Sequence, residues 1–125
     1  MDVVFSEGYF DDDILEEGNY RAKFTDFELE EDVDTKYGIR DRIVLRFVVE
    51  DKLIVEKCLV SKSRNSKMYR FIYGMTDGDI GEHFDFNDYL NGEFVVEIEN
   101  NTDDRGKVWS NINSIEPVKN TTEIE

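Results

Sequence analysis

The sequence predicts a mostly-β domain, a five-stranded barrel with one helix between its third and fourth strands. Three observations support this: apolar and polar residues alternate along most of residues 19–117, one segment has helical spacing, and the first strand pattern slips by one residue. A slip within a strand is typical of a β-bulge, and bulges bend strands into barrels. The length of 125 residues suits a single domain.

The first three strands follow from the alternating residues in the N-terminal half. The first strand slips near Thr25 and Asp26 and leads into an acidic loop over residues 30–34. Strand two covers residues 39–50 and strand three covers residues 52–60. Because the connection between them is so short, we expect these two strands to form a hairpin.

A single helix is predicted after the third strand, where apolar residues recur at positions i, i+3, i+4 and i+7. Ser63 or Asn65 can cap its N-terminus, and the stretch 76–78 ends it. Its apolar face consists of Met68, Phe71, Ile72 and Met75.

The remaining chain predicts a final hairpin. Residues 85–92 form one or two helical turns closed by a glycine, before strand four at 93–99, a loop at 100–106 and strand five at 107–115. The order β-β-β-α-β-β is that of the OB-fold, a barrel that binds oligonucleotides or oligosaccharides across strands two and three. A β-sandwich fragment is the main alternative.

Both ends of the chain differ from this domain, which we place at residues 19–118. Residues 1–18 carry seven acids, no base and scattered apolar residues, so we interpret them as an acidic arm that packs on the body or stays mobile. Residues 119–125 are a short polar tail.

Several classes of protein are disfavoured. No apolar run is long enough for a membrane span, and the N-terminus lacks the pattern of a signal peptide, so a cytoplasmic location is the default. The lone Cys58 excludes an intramolecular disulfide and a cysteine zinc cage, and the lone His83 fits a solvated loop. No catalytic motif is present, so we expect no enzyme activity, metal or cofactor.

The distribution of charge is the most informative feature. Residues 36–70 hold ten bases and four acids, a net charge of +6. Since the whole chain carries −15, the other residues carry −21. The positive segment contains strands two and three, where an OB-fold places its ligand.

Strand parity places three arginines on one outward stripe. Side chains alternate along strand two, so the core residues Ile43, Leu45, Phe47 and Val49 share one face, and the opposite face carries Arg40, Arg42 and Arg46. Arginine forks pair well with phosphate oxygens, which suits a nucleic-acid backbone. The alternative is a solvated face whose arginines pair with neighbouring acids.

Other candidate binding residues surround this stripe. Trp109, next to Lys107, predicts a stacking platform for a base, with a core position as its alternative. Tyr37 is a second stacking candidate, and ordinary packing is the alternative. At the start of the helix, Lys62, Arg64 and Lys67 can hold a phosphate or simply form a solvated, capped turn.

The chain resembles the small OB-fold single-stranded-DNA-binding proteins of bacteriophages and prophages over roughly residues 16–117. The resemblance rests on EEGNYRAKFTDFEL, KYGIRDRIVLRFVVED, LVSKSRNSKMYRFI, DFNDYLNGEFVVEIENN and GKVWSNINSIEP. It implies coating of single-stranded DNA in phage replication or recombination, with contacts from Tyr37, Arg40, Arg42, Arg46 and Trp109. Recruitment of replication or recombination proteins would then fall to the acidic N-terminal arm.

We therefore expect a non-enzymatic, sequence-tolerant single-stranded-DNA-binding protein in the host cytoplasm. The main alternative is an acidic protein-interaction module or DNA mimic that binds a host protein. The net charge of −21 on the residues outside the positive segment favours this alternative. A virion structural subunit is a weaker alternative. The sequence leaves open the oligomeric state, including a homo-oligomer, and the preference for DNA or RNA.

Overall fold

The computed structural model describes residues 14–118 and has a mostly-β fold. Its elements are β1 (Gly18–Thr35), β2 (Gly38–Val49), β3 (Lys52–Leu59), α1 (Lys67–Met75), a 3-10 helix (Phe86–Tyr89), β4 (Glu93–Thr102) and β5 (Val108–Pro117). The strands form one antiparallel sheet in the order β3-β2-β1-β4-β5. The predicted mostly-β class, five strands and single α-helix are confirmed, but the sheet is not closed between β3 and β5.

The two ends of the chain lie outside residues 14–118. The tail at residues 119–125 and the first thirteen residues of the predicted arm lie outside the described residues. Within the rest of the arm, Leu15 is buried in the core and its N–H donates to Ser110 Oγ at 2.8 Å. No helix in the described part of the chain is long and apolar enough to cross a membrane.

β1 is much longer than predicted. The acidic loop expected at residues 30–34 is instead strand, because Glu30 pairs with Arg42 and the pairing continues to Thr35 opposite Gly38. Acids have low strand propensity alone, but opposite charges across a strand pair stabilise the sheet. The register shift between Phe24 and Asp26 confirms the predicted bulge, and a second shift follows Glu30.

Two-residue turns join the first three strands. Lys36 and Tyr37 connect β1 to β2. Glu50 and Asp51 connect β2 to β3 with φ values of 51° and 67°, as in a type I′ turn, which matches the twist of the strands. The predicted hairpin is confirmed.

The core lies between one face of the sheet and α1. The predicted core residues of β2 and the apolar residues Phe71, Ile72 and Met75 of α1 are all buried. The helix approaches β5 so closely that a Cβ on Gly74 would stand 2.3 Å from the Ile115 carbonyl oxygen.

Other local details also differ from the predictions. Ser66, and not Ser63 or Asn65, caps α1, because its Oγ accepts from the Tyr69 N–H at 3.1 Å. The turns predicted at 85–92 form the 3-10 helix, after which Asn91, rather than a glycine, takes a positive φ of 67°. β4 extends to Thr102 and β5 begins at Val108, so the loop between them is shorter than predicted.

A buried carboxylate bridges the open side of the sheet. Glu56 on β3 is 1% exposed, and its Oε1 lies 2.7 Å from Lys67 Nζ at the start of α1. Its Oε2 accepts from the Ile112 N–H of β5 at 2.8 Å. A side chain therefore joins β3 to β5 where backbone pairing is absent.

We predict that this bridge contributes measurably to stability. Glu56→Ala removes the partner of a buried backbone N–H and of Lys67, so it should lower the free energy of unfolding by about 2–3 kcal/mol. Glu56→Gln retains an acceptor for Ile112 and should cost less. Urea unfolding measures both, with the exposed Glu99→Ala on β4 as a control expected within about 0.5 kcal/mol of the parent. A Glu56→Ala protein as stable as this control would contradict the prediction.

Candidate functional site

The outer face of β1 and β2 carries a ladder of ion pairs. The strand register sets Glu30 opposite Arg42 and Asp26 opposite Arg46. Arg42 NH2 lies 2.6 Å from Glu30 Oε1, Arg46 NH1 lies 3.0 Å from Asp26 Oδ2, and Arg46 NH2 lies 2.9 Å from Glu28 Oε1. We call these five residues the outer ladder. Arg42 and Arg46 thus lie on the predicted face, but acids of β1 already engage them.

The outer ladder also covers an apolar residue. Val44 is on this outer face yet is only 2% exposed. Its neighbours across the strands are Glu28 and Lys57, and Arg42 and Arg46 flank it along β2. Hydrogen bonding to Glu28 raises the pKa of Arg46. These observations agree with a salt-bridged face, the alternative to a free arginine stripe.

Arg40 has different surroundings from the other two arginines. Its partner across the strands is Val33, and its NH2 donates to the Val60 carbonyl at 2.9 Å. Within the described part of the chain it forms no ion pair. Because a guanidinium has five N–H donors, several stay available to a ligand.

Arg40 lines an open groove with a volume of about 500 Å³. The groove brings together the β1–β2 turn, the end of β3 and the segment that leads into α1. None of its described lining residues carries a carboxylate, whereas three are cations. The lining consists of Tyr37, Arg40, Lys57, Cys58, Leu59, Ser61, Ser63, Asn65, Ser66 and Lys67.

The cations of the groove differ in how far their charge is balanced. Lys67 pairs with Glu56, as described above. Lys57 is exposed and, among the described residues, forms no ion pair. Tyr37 is 66% exposed, and Lys36 Nζ lies 5.2 Å from the centroid of its ring. The groove therefore offers two uncompensated cations beside an accessible aromatic ring, which suits a ligand with phosphates and bases.

The predicted site residues fall into four groups. Tyr37, Arg40 and Lys67 line the groove. Lys62 and Arg64 are exposed and adjacent in sequence to lining serines, but they do not line it. Arg42 and Arg46 belong to the outer ladder, and Lys107 and Trp109 are on the β4–β5 hairpin.

Trp109 is on the surface. It is 45% exposed, which excludes the core position left open by the sequence, and Lys107 Nζ lies 4.4 Å above its ring centroid. This hairpin extends beyond the N-terminal end of β1, whereas the β1–β2 turn follows the other end. Trp109 is therefore a separate exposed aromatic and not part of the groove.

Lys57 is the cation of the groove that sequence reasoning missed. Apolar residues occupy both faces of β3, so parity did not show that Lys57 faces outward with Leu53 and Val55. The serines did carry a signal, since the segment after β3 combines hydroxyls with bases. The sequence accordingly predicts this segment as a candidate phosphate site, with a solvated, capped turn as the alternative.

Cys58 and His83 offer no metal site. The described residues contain no group of three or more His, Cys, Asp or Glu side chains that could hold a metal ion. Burial raises the pKa of the Cys58 thiol to about 11. His83 is exposed, in agreement with its predicted place in a solvated loop.

Comparison with known proteins gives no match to a family model, a curated protein or a solved structure.

We predict an alkaline loss of stability that depends on Cys58. Its pKa rises from 9.0 to about 11 on folding, so between these values the folded state binds more protons than the unfolded chain. The contribution of the protonated Cys58 thiol to the free energy of unfolding is complete below pH 9 and is lost as the pH rises toward 11. Urea unfolding across this range should show a steeper decline for the parent than for Cys58→Ala. Parallel pH profiles for the two proteins would contradict this.

Proposed function

We propose that this chain is a sequence-tolerant single-stranded-DNA-binding protein whose main contact surface is the groove. The observation that carries the proposal is the groove itself, where Arg40 and Lys57 have no acidic partner among residues 14–118 and Tyr37 is exposed beside them. In a chain of net charge −15, such a local concentration of cations without carboxylates favours an anionic ligand.

The chemistry of the groove suits a single strand. The guanidinium of Arg40 can bond two phosphate oxygens at once, and the Lys57 ammonium adds a second point of neutralisation. A base without a partner can stack on Tyr37, an interaction that accepts any base. At physiological salt the Debye length is about 8 Å, so acids elsewhere on the surface repel the ligand only weakly.

The sheet order supports an OB-fold-like barrel as the finer description of the fold. If β3 joined β5, the order β3-β2-β1-β4-β5 would close into a five-stranded barrel with the predicted helix between strands three and four. Glu56 already links these two edges through its side chain.

The biological setting of the proposal comes from the sequence resemblance. It is phage DNA replication or recombination in the host cytoplasm, with recruitment of partner proteins by the acidic arm.

An acidic protein-interaction module or DNA mimic is the second candidate. Its specific support is the outer ladder, in which carboxylates of β1 balance two arginines of the most basic segment. A mimic would display acids to a host protein and bind no DNA. The groove argues against it, because a mimic has no use for Arg40 and Lys57 without acidic partners.

We predict that the groove cations dominate binding. The double variant Arg40→Ala, Lys57→Ala should weaken binding to oligo-dT by about tenfold or more. It should also reduce the slope of log K against log salt by about 1.4, since each phosphate contact on a single strand contributes about 0.7. Titrations at several salt concentrations measure both quantities.

The matched control is Arg42→Ala with Arg46→Ala, which removes the same charge from the neighbouring outer ladder. We expect this control to change affinity less than about threefold, because acids already neutralise both side chains. Equal losses in the two variants would show that net charge, and not the groove, governs binding. No binding by the parent at low salt would favour the mimic.

Trp109 provides a second and independent prediction. It is the only tryptophan, so its fluorescence reports one site. If a strand that leaves the groove reaches the β4–β5 hairpin, oligo-dT should quench this fluorescence more than duplex DNA does, because only unpaired bases can stack. Binding detected by anisotropy of a labelled strand without any quench would place Trp109 outside the interface.

A further inference from the structure

The two arginines of the outer ladder lie on β2, the strand that supplies Arg40, and they bind carboxylates through the same donors that would bind phosphate. Arg42 directs Nε and NH2 at Glu30, at 2.7 and 2.6 Å. Arg46 directs NH1 at Asp26 and NH2 at Glu28. A carboxylate and a phosphate present similar acceptor oxygens to a guanidinium, so a nucleic-acid backbone on this face would have to displace these acids.

We propose that Asp26, Glu28 and Glu30 act as internal competitors of phosphate. They keep the DNA backbone off the outer face of β2 and confine it to the groove beside Arg40. The inference rests on the proposed function, since it concerns which cations the bound strand can reach. The three carboxylates are then specificity-determining residues, because they define the path of the strand.

The exposure of the ladder supports competition in addition to any structural role. The side chains of Asp26 and Glu28 are 62% and 55% exposed, so a ligand can reach the pairs from solvent. The side chain of Glu30 is less exposed, at 32%, and its pair with Arg42 supports the pairing of β1 with β2. Since exposed ion pairs contribute little to folding and an amide keeps an acceptor oxygen for each arginine, we expect amide replacements of the acids to leave the protein folded, which makes their effect on binding measurable.

The test is a triple variant with Asp26→Asn, Glu28→Gln and Glu30→Gln. Amide side chains preserve size and remove the competing charge. Binding to oligo-dT of about 12 nucleotides, a length within the range of one such domain, should tighten about tenfold. The slope of log K against log salt should steepen by about 1.4, because two released arginines can each contact a phosphate.

The matched control changes three exposed carboxylates that contact no arginine, through Glu82→Gln, Glu99→Gln and Glu116→Gln. It shifts net charge equally, so it measures the general electrostatic gain. If the parent binds and the two triple variants gain affinity equally, the competition is refuted and the proposed function stands. If the parent and both triple variants fail to bind at low salt, the proposed function itself fails, and the inference fails with it.

A further variant tests whether Arg42 and Arg46 are the cations that produce the gain in affinity. Adding Arg42→Ala and Arg46→Ala to the triple amide variant should abolish the tenfold gain, whereas a retained gain would overturn the assignment. Thermal unfolding of every variant, followed by circular dichroism, separates changes in binding from loss of fold.

Discussion

The contact between β3 and β5, on the open side of the sheet, depends on one buried carboxylate. The Glu56 carboxylate accepts a hydrogen bond from the Ile112 N–H of β5 and forms an ion pair with the Lys67 ammonium of α1. Three elements, β3, β5 and α1, therefore meet at a single side chain. A buried charge without partners would cost several kcal/mol, and an unpaired backbone N–H at the edge of β5 would add to that cost. Each group therefore requires the other, which explains why an acid is tolerated inside a small core.

The same interaction connects the fold to the candidate site. Lys67 lines the groove, and Glu56 determines where its ammonium lies. Because this carboxylate balances the lysine, the uncompensated charge of the groove belongs to Arg40 and Lys57. A ligand that enters the groove thus meets cations held by the end of β2 and by β3, beside a lysine that also holds the sheet to the helix.

Local sequence patterns predicted the features of the fold that depend only on which residues are buried along one strand or helix. Alternation identified the core face of β2, and helical spacing identified α1, since burial imposes both periods. The pattern did not predict that residues 30–35 are strand, because their pairing depends on arginines across the sheet. It also could not reveal Glu56 as buried, since only the packing of β5 and α1 makes that position favourable. The sequence named Tyr37, Arg40 and Lys67 as binding candidates but did not predict that they line one groove, because that groove joins a turn, a strand end and a loop.

Charge counted along the sequence differs from charge counted in space. Residues 36–70 carry +6, which pointed to strand two as a basic stripe. The fold places acids of β1 beside two of its arginines, so much of that charge is neutralised at distances of 2.6–3.0 Å. What survives is the smaller set at the groove, where the facing residues are serines, Asn65 and Tyr37. The proposed binding surface is therefore defined less by where bases occur than by where the described part of the chain supplies them with no acidic partner.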